Sequence, residues 1–188
     1  MQIIPAAPNI GSSDWLPFSA STEIVVVVGA VSSCTFDWIV GRTDTFTGTG
    51  GTISTADTSE FPVSVEVAGE IWEIESVTLR GLVHPDSQDL NIELQAPGLF
   101  KTSLSAYRGT GSQGFDGDYV FVDLGSAEGA DTYLPTSGTI LSETYESSTD
   151  LDEFHGKDTL GTWRLLITNN GATGSLDNWT LELRYKRY

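Results

Sequence analysis

Apolar residues recur at every second position in several short runs, and that period of two decides what this chain can fold into. Trp179, Leu181, Leu183 and Tyr185 alternate with Thr180, Glu182 and Arg184. Leu90, Ile92 and Leu94 face one way while Asn91, Glu93 and Gln95 face the other. Phe61, Val63, Val65 and Val67 share a face, and Val77 and Leu79 begin the same pattern in a run ending near His84. In Trp163–Thr168 the alternate positions are also partly apolar, which predicts a strand covered on both sides. Clusters of Gly, Asn, Asp and Ser separate the runs, and no helical period appears beyond one turn at Asp150–Phe154. The expectation is an all-β protein, a jelly roll or β-sandwich. Residues 41–60, rich in Gly, Thr and Ser, read as an exposed hairpin or loop.

The chain has 188 residues, enough for one domain or one domain with an appendage. Five Trp, six Tyr and eight Phe can fill its core. Lys and Arg number 9 against 26 Asp and Glu, a net charge of −17. That balance excludes a nucleic-acid binder and an anionic membrane surface as partners. One cysteine, Cys34, excludes an internal disulfide framework and a multi-cysteine zinc site. The longest apolar run, Ile24–Val31, is less than half a membrane helix and reads as a buried strand. The N-terminus, Met-Gln-Ile-Ile-Pro, has neither the basic nor the apolar part of a secretion leader.

Two blocks of the second half carry a specific pattern. The first is His84-Pro-Asp-Ser-Gln-Asp-Leu-Asn-Ile-Glu-Leu-Gln-Ala-Pro-Gly98. The second joins Phe154-His-Gly156, Gly161-Thr-Trp-Arg-Leu-Leu-Ile167 and Gly174-Ser-Leu-Asp-Asn-Trp-Thr-Leu-Glu-Leu183. In order and spacing, over about residues 70–186, they resemble the P domain (Homo B domain) that follows the catalytic domain in subtilisin-like proprotein convertases. The resemblance implies a jelly-roll sandwich, like a galactose-binding domain, that is not catalytic but packs on the protease and stabilises it. It places a P-domain-like jelly roll at residues 66–188 and leaves residues 1–65 as an N-terminal extension, a docking arm or extra strands. The chain departs from the pattern at Pro85 and at Leu99-Phe100, which replaces the usual Gly-Thr turn.

The residues themselves offer little catalytic material. The two histidines, His84 and His155, fall inside the resembling motifs, and no Gly-x-Ser-x-Gly elbow occurs. His84 at a strand end reads as a hydrogen-bonded structural residue, so no enzymatic activity is expected. Calcium is the candidate cofactor. Between residues 110 and 160 eleven acidic residues meet one basic residue, Lys157. Calcium takes several carboxylate and carbonyl oxygens on loops. The candidate ligands are Asp86 with Asp89, and Asp116 with Asp118 and Asp123.

The leading functional reading is a structural protein on a phage virion, made without a leader and reaching the outside by lysis. It would decorate or stabilise the particle or mediate host adhesion. Its partners would be capsid or tail proteins, other copies of itself and a host surface ligand. Ile3, Ile4, Trp15 and Phe18 would anchor the N-terminal segment, and Arg184, Lys186 and Arg187 would dock on an acidic partner. The alternative is an extracellular accessory module of a secreted subtilisin-like protease. A third reading is a carbohydrate-binding module in which Trp15, Trp38 and Trp72 stack on sugar if exposed.

Overall fold

The computed structural model describes residues 41–107, 113–124, 134–135 and 140–187. The chain divides at Trp38–Ile39, and all the described residues belong to the second unit. They form nine strands in two facing sheets, an all-β sandwich. One sheet has the order β1-β9-β3-β6-β7, from Arg42–Ile53 (β1), Gly174–Arg187 (β9), Gly69–His84 (β3), Phe115–Val122 (β6) and Thr144–Glu146 (β7). The other has the order β2-β8-β4-β5, from Asp57–Val65 (β2), Gly161–Asn169 (β8), Leu90–Gln95 (β4) and Lys101–Ala106 (β5). Every pairing is antiparallel except β6 with β7. The only helical pieces among the described residues are 3-10 turns at Ser87–Asp89 and Leu151–Phe154.

The alternation in sequence becomes the core between the sheets. Trp179, Leu181, Leu183 and Tyr185 point inward from β9, and Leu90, Ile92 and Leu94 from β4. Trp163, Leu165 and Ile167 do so from β8, while Leu166 on its other face is also buried. Burying each such side chain is worth roughly 1.5–3 kcal/mol. Phe154, from the second 3-10 turn, closes the core against Trp163, with ring centroids 5.5 Å apart.

Residues 41–60 are not a hairpin or loop. They give β1 and the start of β2, one strand to each sheet, joined by a short turn at Ser54–Ala56. The glycines that suggest a loop answer a packing need instead. Gly48 lies opposite Trp179, and a Cβ there would run into the buried indole. Gly50 lies against the backbone of Leu176 and Asp177, where a Cβ would also overlap. Only Gly48 and Ile53 of this edge strand are buried, so it shows no apolar alternation and its sequence looks like a loop. Residues 42–65, within the segment read as an N-terminal extension, are therefore strands of the sandwich itself.

The register fixes two ends of the sandwich. At one end lie Arg42 opposite Tyr185, Gly69 opposite Arg187, Val65 opposite Gly161 and Gln95 opposite Lys101. The segment 157–159 ties the sheets together there, with Ile71 N–H donating to Lys157 O (2.8 Å) and Thr159 N–H to Gly69 O (2.9 Å). The other end holds His84, the Ser87–Asp89 turn and the β8–β9 connection.

Candidate functional site

Three groupings of chemically capable side chains stand out, and they differ in what they can do. The first surrounds His84, which is buried where β3 ends. Its Nδ1 lies 2.7 Å from Asp86 O, and its Nε2 lies 2.7 Å from Ala172 O and 3.2 Å from Asn169 Oδ1. The ring thus joins the turn after β3 to the β8–β9 connection, as the structural reading of His84 expects. Asp86 caps the adjoining 3-10 turn, accepting from Gln88 N–H at 3.1 Å. Asp89 rests its carboxylate against Gly171, while its carbonyl accepts from Asn170 N–H at 2.9 Å.

The second grouping is acidic. Asp123 follows β6, and Asp150 and Asp152 flank the start of the Leu151–Phe154 turn. Their carboxylate oxygens all come within 4.8 Å of one another, the one such group of three among the described residues. Asp123 Oδ1 accepts from Leu151 N–H (2.6 Å), and Asp150 Oδ1 from Asp152 N–H (2.9 Å). Burial pushes the Asp123 carboxyl above the usual range, against the pull of the Leu151 and Leu124 amides, and Asp150 adds to the rise. Exposed acidic clusters of this kind are common without any ion. Asp118 stands five residues before Asp123 on an extended strand, about 16 Å away. Its Oδ1 instead accepts from Gly81 N–H at 2.8 Å, and its Oδ2 faces Arg80 at 3.5 Å. Asp116 pairs in register with Val83, near the His84 end. The structure therefore places Asp123 with Asp150 and Asp152, apart from Asp86, Asp89, Asp116 and Asp118. The signal for that trio was weak, because its members come from two segments 28 residues apart in sequence.

The third grouping lies at the opposite end from His84. Trp72, on β3, is 48% exposed, and the Arg184 guanidinium sits over its ring at 5.1 Å. Arg184 also faces Glu73 (3.6 Å) and Glu75 (3.8 Å). Two clefts adjoin the indole. One, of about 260 Å³, is lined by Glu70, Ile71, Trp72, His155 and Lys186. The other, of about 490 Å³, is lined by Trp72, Glu73, Asp152 and His155. Trp163 and Trp179 are wholly buried, so Trp72 is the accessible indole among the described residues. Of the partner-binding candidates, Arg184 and Lys186 meet here, and Arg187 pairs in register with Gly69 at the same end. Ile3, Ile4, Trp15, Phe18 and Trp38 lie outside the described residues.

Cations are sorted along the sandwich. Arg42, Lys101, Lys157 and Arg164, with Arg184, Lys186 and Arg187, put seven of the nine Lys and Arg in the Trp72 half. That half also carries Asp44, Glu66, Glu70, Glu73, Glu75, Glu93, Asp152, Glu153, Asp158 and Glu182, so its carboxylates outnumber its cations, while in the other half Asp57, Asp86, Asp89, Asp116, Asp118 and Asp177 face one described cation, Arg80. No single sequence window shows this, because the cations come from five segments that only the register brings together.

Solved structures with some similarity to this chain include two of one serine protease. The serine protease of Aeromonas sobria in complex with its chaperone has a TM-score of 0.46 and 16% identity, over 78% of this chain and 28% of that one. A second structure of the serine protease of Aeromonas sobria has a TM-score of 0.44 and 17% identity, over the same shares. The match thus spans little more than a quarter of those proteins' length. No curated protein matches the sequence. The sequence profile of the proprotein convertase P-domain matches residues 74–183, from within β3 to within β9, which is more than half of the chain. The chain belongs to the proprotein convertase P-domain family.

Proposed function

We propose that this chain is a non-catalytic accessory module of a secreted subtilisin-like serine protease, acting outside the cell by packing on the catalytic domain and stabilising it. The observation that carries this reading is the P-domain match across residues 74–183, which covers strands from both sheets of the sandwich. The lack of catalytic activity is supported by His84. That ring is buried, and both of its nitrogens meet backbone carbonyls rather than a nucleophile and its substrate. The virion role draws no support from the sandwich or from the comparisons.

The test uses the full chain and a subtilisin-like catalytic domain prepared without an accessory module. The two are mixed and heated, and residual activity is followed with a fluorogenic peptide. A ligand that binds only the folded form slows loss of that form. A lengthened half-life of the protease supports the reading, and an unchanged half-life at saturating chain overturns it. The chain alone is expected to cleave nothing.

A further inference from the structure

We propose that Asn170 is a deamidation site, its side-chain amide lost to attack by the Gly171 nitrogen, and that the His84–Asn169 clamp sets the rate by holding that nitrogen in place. The site lies in the connection from β8 to β9, at the His84 end of the sandwich.

The reactivity comes from the sequence. Asn170-Gly171 is the one Asn-Gly pair in the chain, and every other asparagine precedes a bulkier residue. An asparagine followed by glycine loses its amide fastest, because no side chain shields the attacking nitrogen. The fold itself requires the pair. A Cβ at Gly171 would overlap the Asp89 carboxylate, so position 171 takes no side chain. Asn170 is exposed, so water reaches it.

The step needs water as its only co-reactant. The Gly171 nitrogen gives up its proton to water and attacks Asn170 Cγ. The new N–C bond closes a cyclic imide, the Cγ–Nδ2 bond breaks, and the proton leaves with ammonia. Water then opens the imide at either carbonyl. One opening leaves aspartate, and the other leaves isoaspartate, with the main chain routed through the side-chain carbons.

The structure restrains this step at the attacking nitrogen. Gly171 N–H donates to Asn169 Oδ1 at 2.8 Å, and Asn170 N–H donates to Asp89 O at 2.9 Å. Asn169 is buried, and its Nδ2 donates to Ala172 O at 2.7 Å. His84 Nε2 lies against that same Ala172 O and against Asn169 Oδ1. The His84 ring also packs on Gly174, where β9 begins. The amides on both sides of the Asn170 side chain are therefore bonded, and the group that holds the Gly171 nitrogen is itself held by His84. A bonded N–H gives up its proton less readily, and a fixed main chain resists closing onto its own side chain. Reaction waits for local opening of the His84 end, and the population of the open form sets its rate.

The reaction makes that opening one-way. The imide has no N–H at position 171 to return to Asn169 Oδ1. Isoaspartate lengthens the main chain between Asn169 and Ala172, the two residues that His84 Nε2 meets. The clamp cannot close over either product as it does over asparagine.

The test incubates the full chain in mildly alkaline buffer, folded and in urea. Peptide mapping follows the mass gain at each asparagine, and enzymatic methylation reads isoaspartate. The unfolded chain is expected to react at Asn170 ahead of Asn91 and Asn178, and at least about tenfold faster than the folded chain. His84→Ala and Asn169→Ala each remove one arm of the clamp and are expected to raise the folded rate at least about tenfold. Thermal melts show which of the two is folded, and a folded one suffices. Gly48→Ala weakens the fold on β1, away from the clamp, and is expected to leave the folded rate near that of the wild type. If the unfolded chain reacts first at another asparagine, the site is wrong. If folded and unfolded wild type react equally fast, or a folded clamp variant reacts no faster than the wild type, the clamp is not the restraint. If Gly48→Ala accelerates the reaction as much as the clamp variants do, global unfolding sets the rate and the gating is overturned. The isoaspartyl chain, returned to native buffer, is expected to melt below the unmodified chain, and an equal melting temperature overturns the one-way opening.

Discussion

The Tyr185 phenol, buried on the inner face of β9, donates a 2.5 Å hydrogen bond to Asp44 Oδ2 on edge strand β1. This bond holds the Asp44 carboxyl below the usual range, against the opposing effect of burial and with help from Arg42. A carboxyl with a depressed folded pKa adds stability above its unfolded value, near 3.8, and that stability is lost as pH falls through the folded value. Tyr185→Phe is expected to cost about 2 kcal/mol at neutral pH, as a hydrogen bond to a charged group does. The gap between variant and wild type should narrow as pH falls below 4. Urea unfolding at a series of pH values checks both.

Asp123 has the opposite sign. Burial raises its folded pKa, so the stability it contributes is full below its unfolded value and lost as pH rises through the folded one. Asp123→Asn keeps an oxygen to accept the Leu151 amide and removes the repulsion with Asp150. In EDTA the variant should melt higher than the wild type at pH 7. The difference should vanish in acid, where the wild-type carboxyl is protonated. Thermal melts at the two pH values decide it.

His84→Ala should destabilise by about 3 kcal/mol, from the cavity together with the lost bonds to Asp86 O and Ala172 O. A catalytic histidine would lose activity with little loss of stability, so urea unfolding separates the two roles.

Gly48→Ala is expected to cost about 1–3 kcal/mol, because its Cβ would overlap the Trp179 indole in a closed core. Gly98→Ala is the control. Nothing lies within 4 Å of a Cβ there, so it should be close to neutral.

Most of the sandwich was legible in the sequence wherever a strand has one buried and one wet face. Leu90, Ile92 and Leu94, and Trp179 through Tyr185, are buried at the alternate positions their pattern predicts. Strand β1 was not legible. It lies at an edge with few inward side chains, and its glycines are there to fit Trp179 and the β9 backbone. The Asp123–Asp150–Asp152 cluster was illegible for a different reason, since a 3-10 turn and the end of β6 meet only through the fold. The C-terminal cations Arg184, Lys186 and Arg187 were visible as a run, but their company with Trp72 and His155 follows from the β3–β9 register.

Amide hydrogen exchange of the chain, alone and with a subtilisin-like catalytic domain, tests the central claim most directly. The account predicts that the catalytic domain slows amide exchange over one contiguous face of the sandwich. Exchange left unchanged at saturating protease would contradict it.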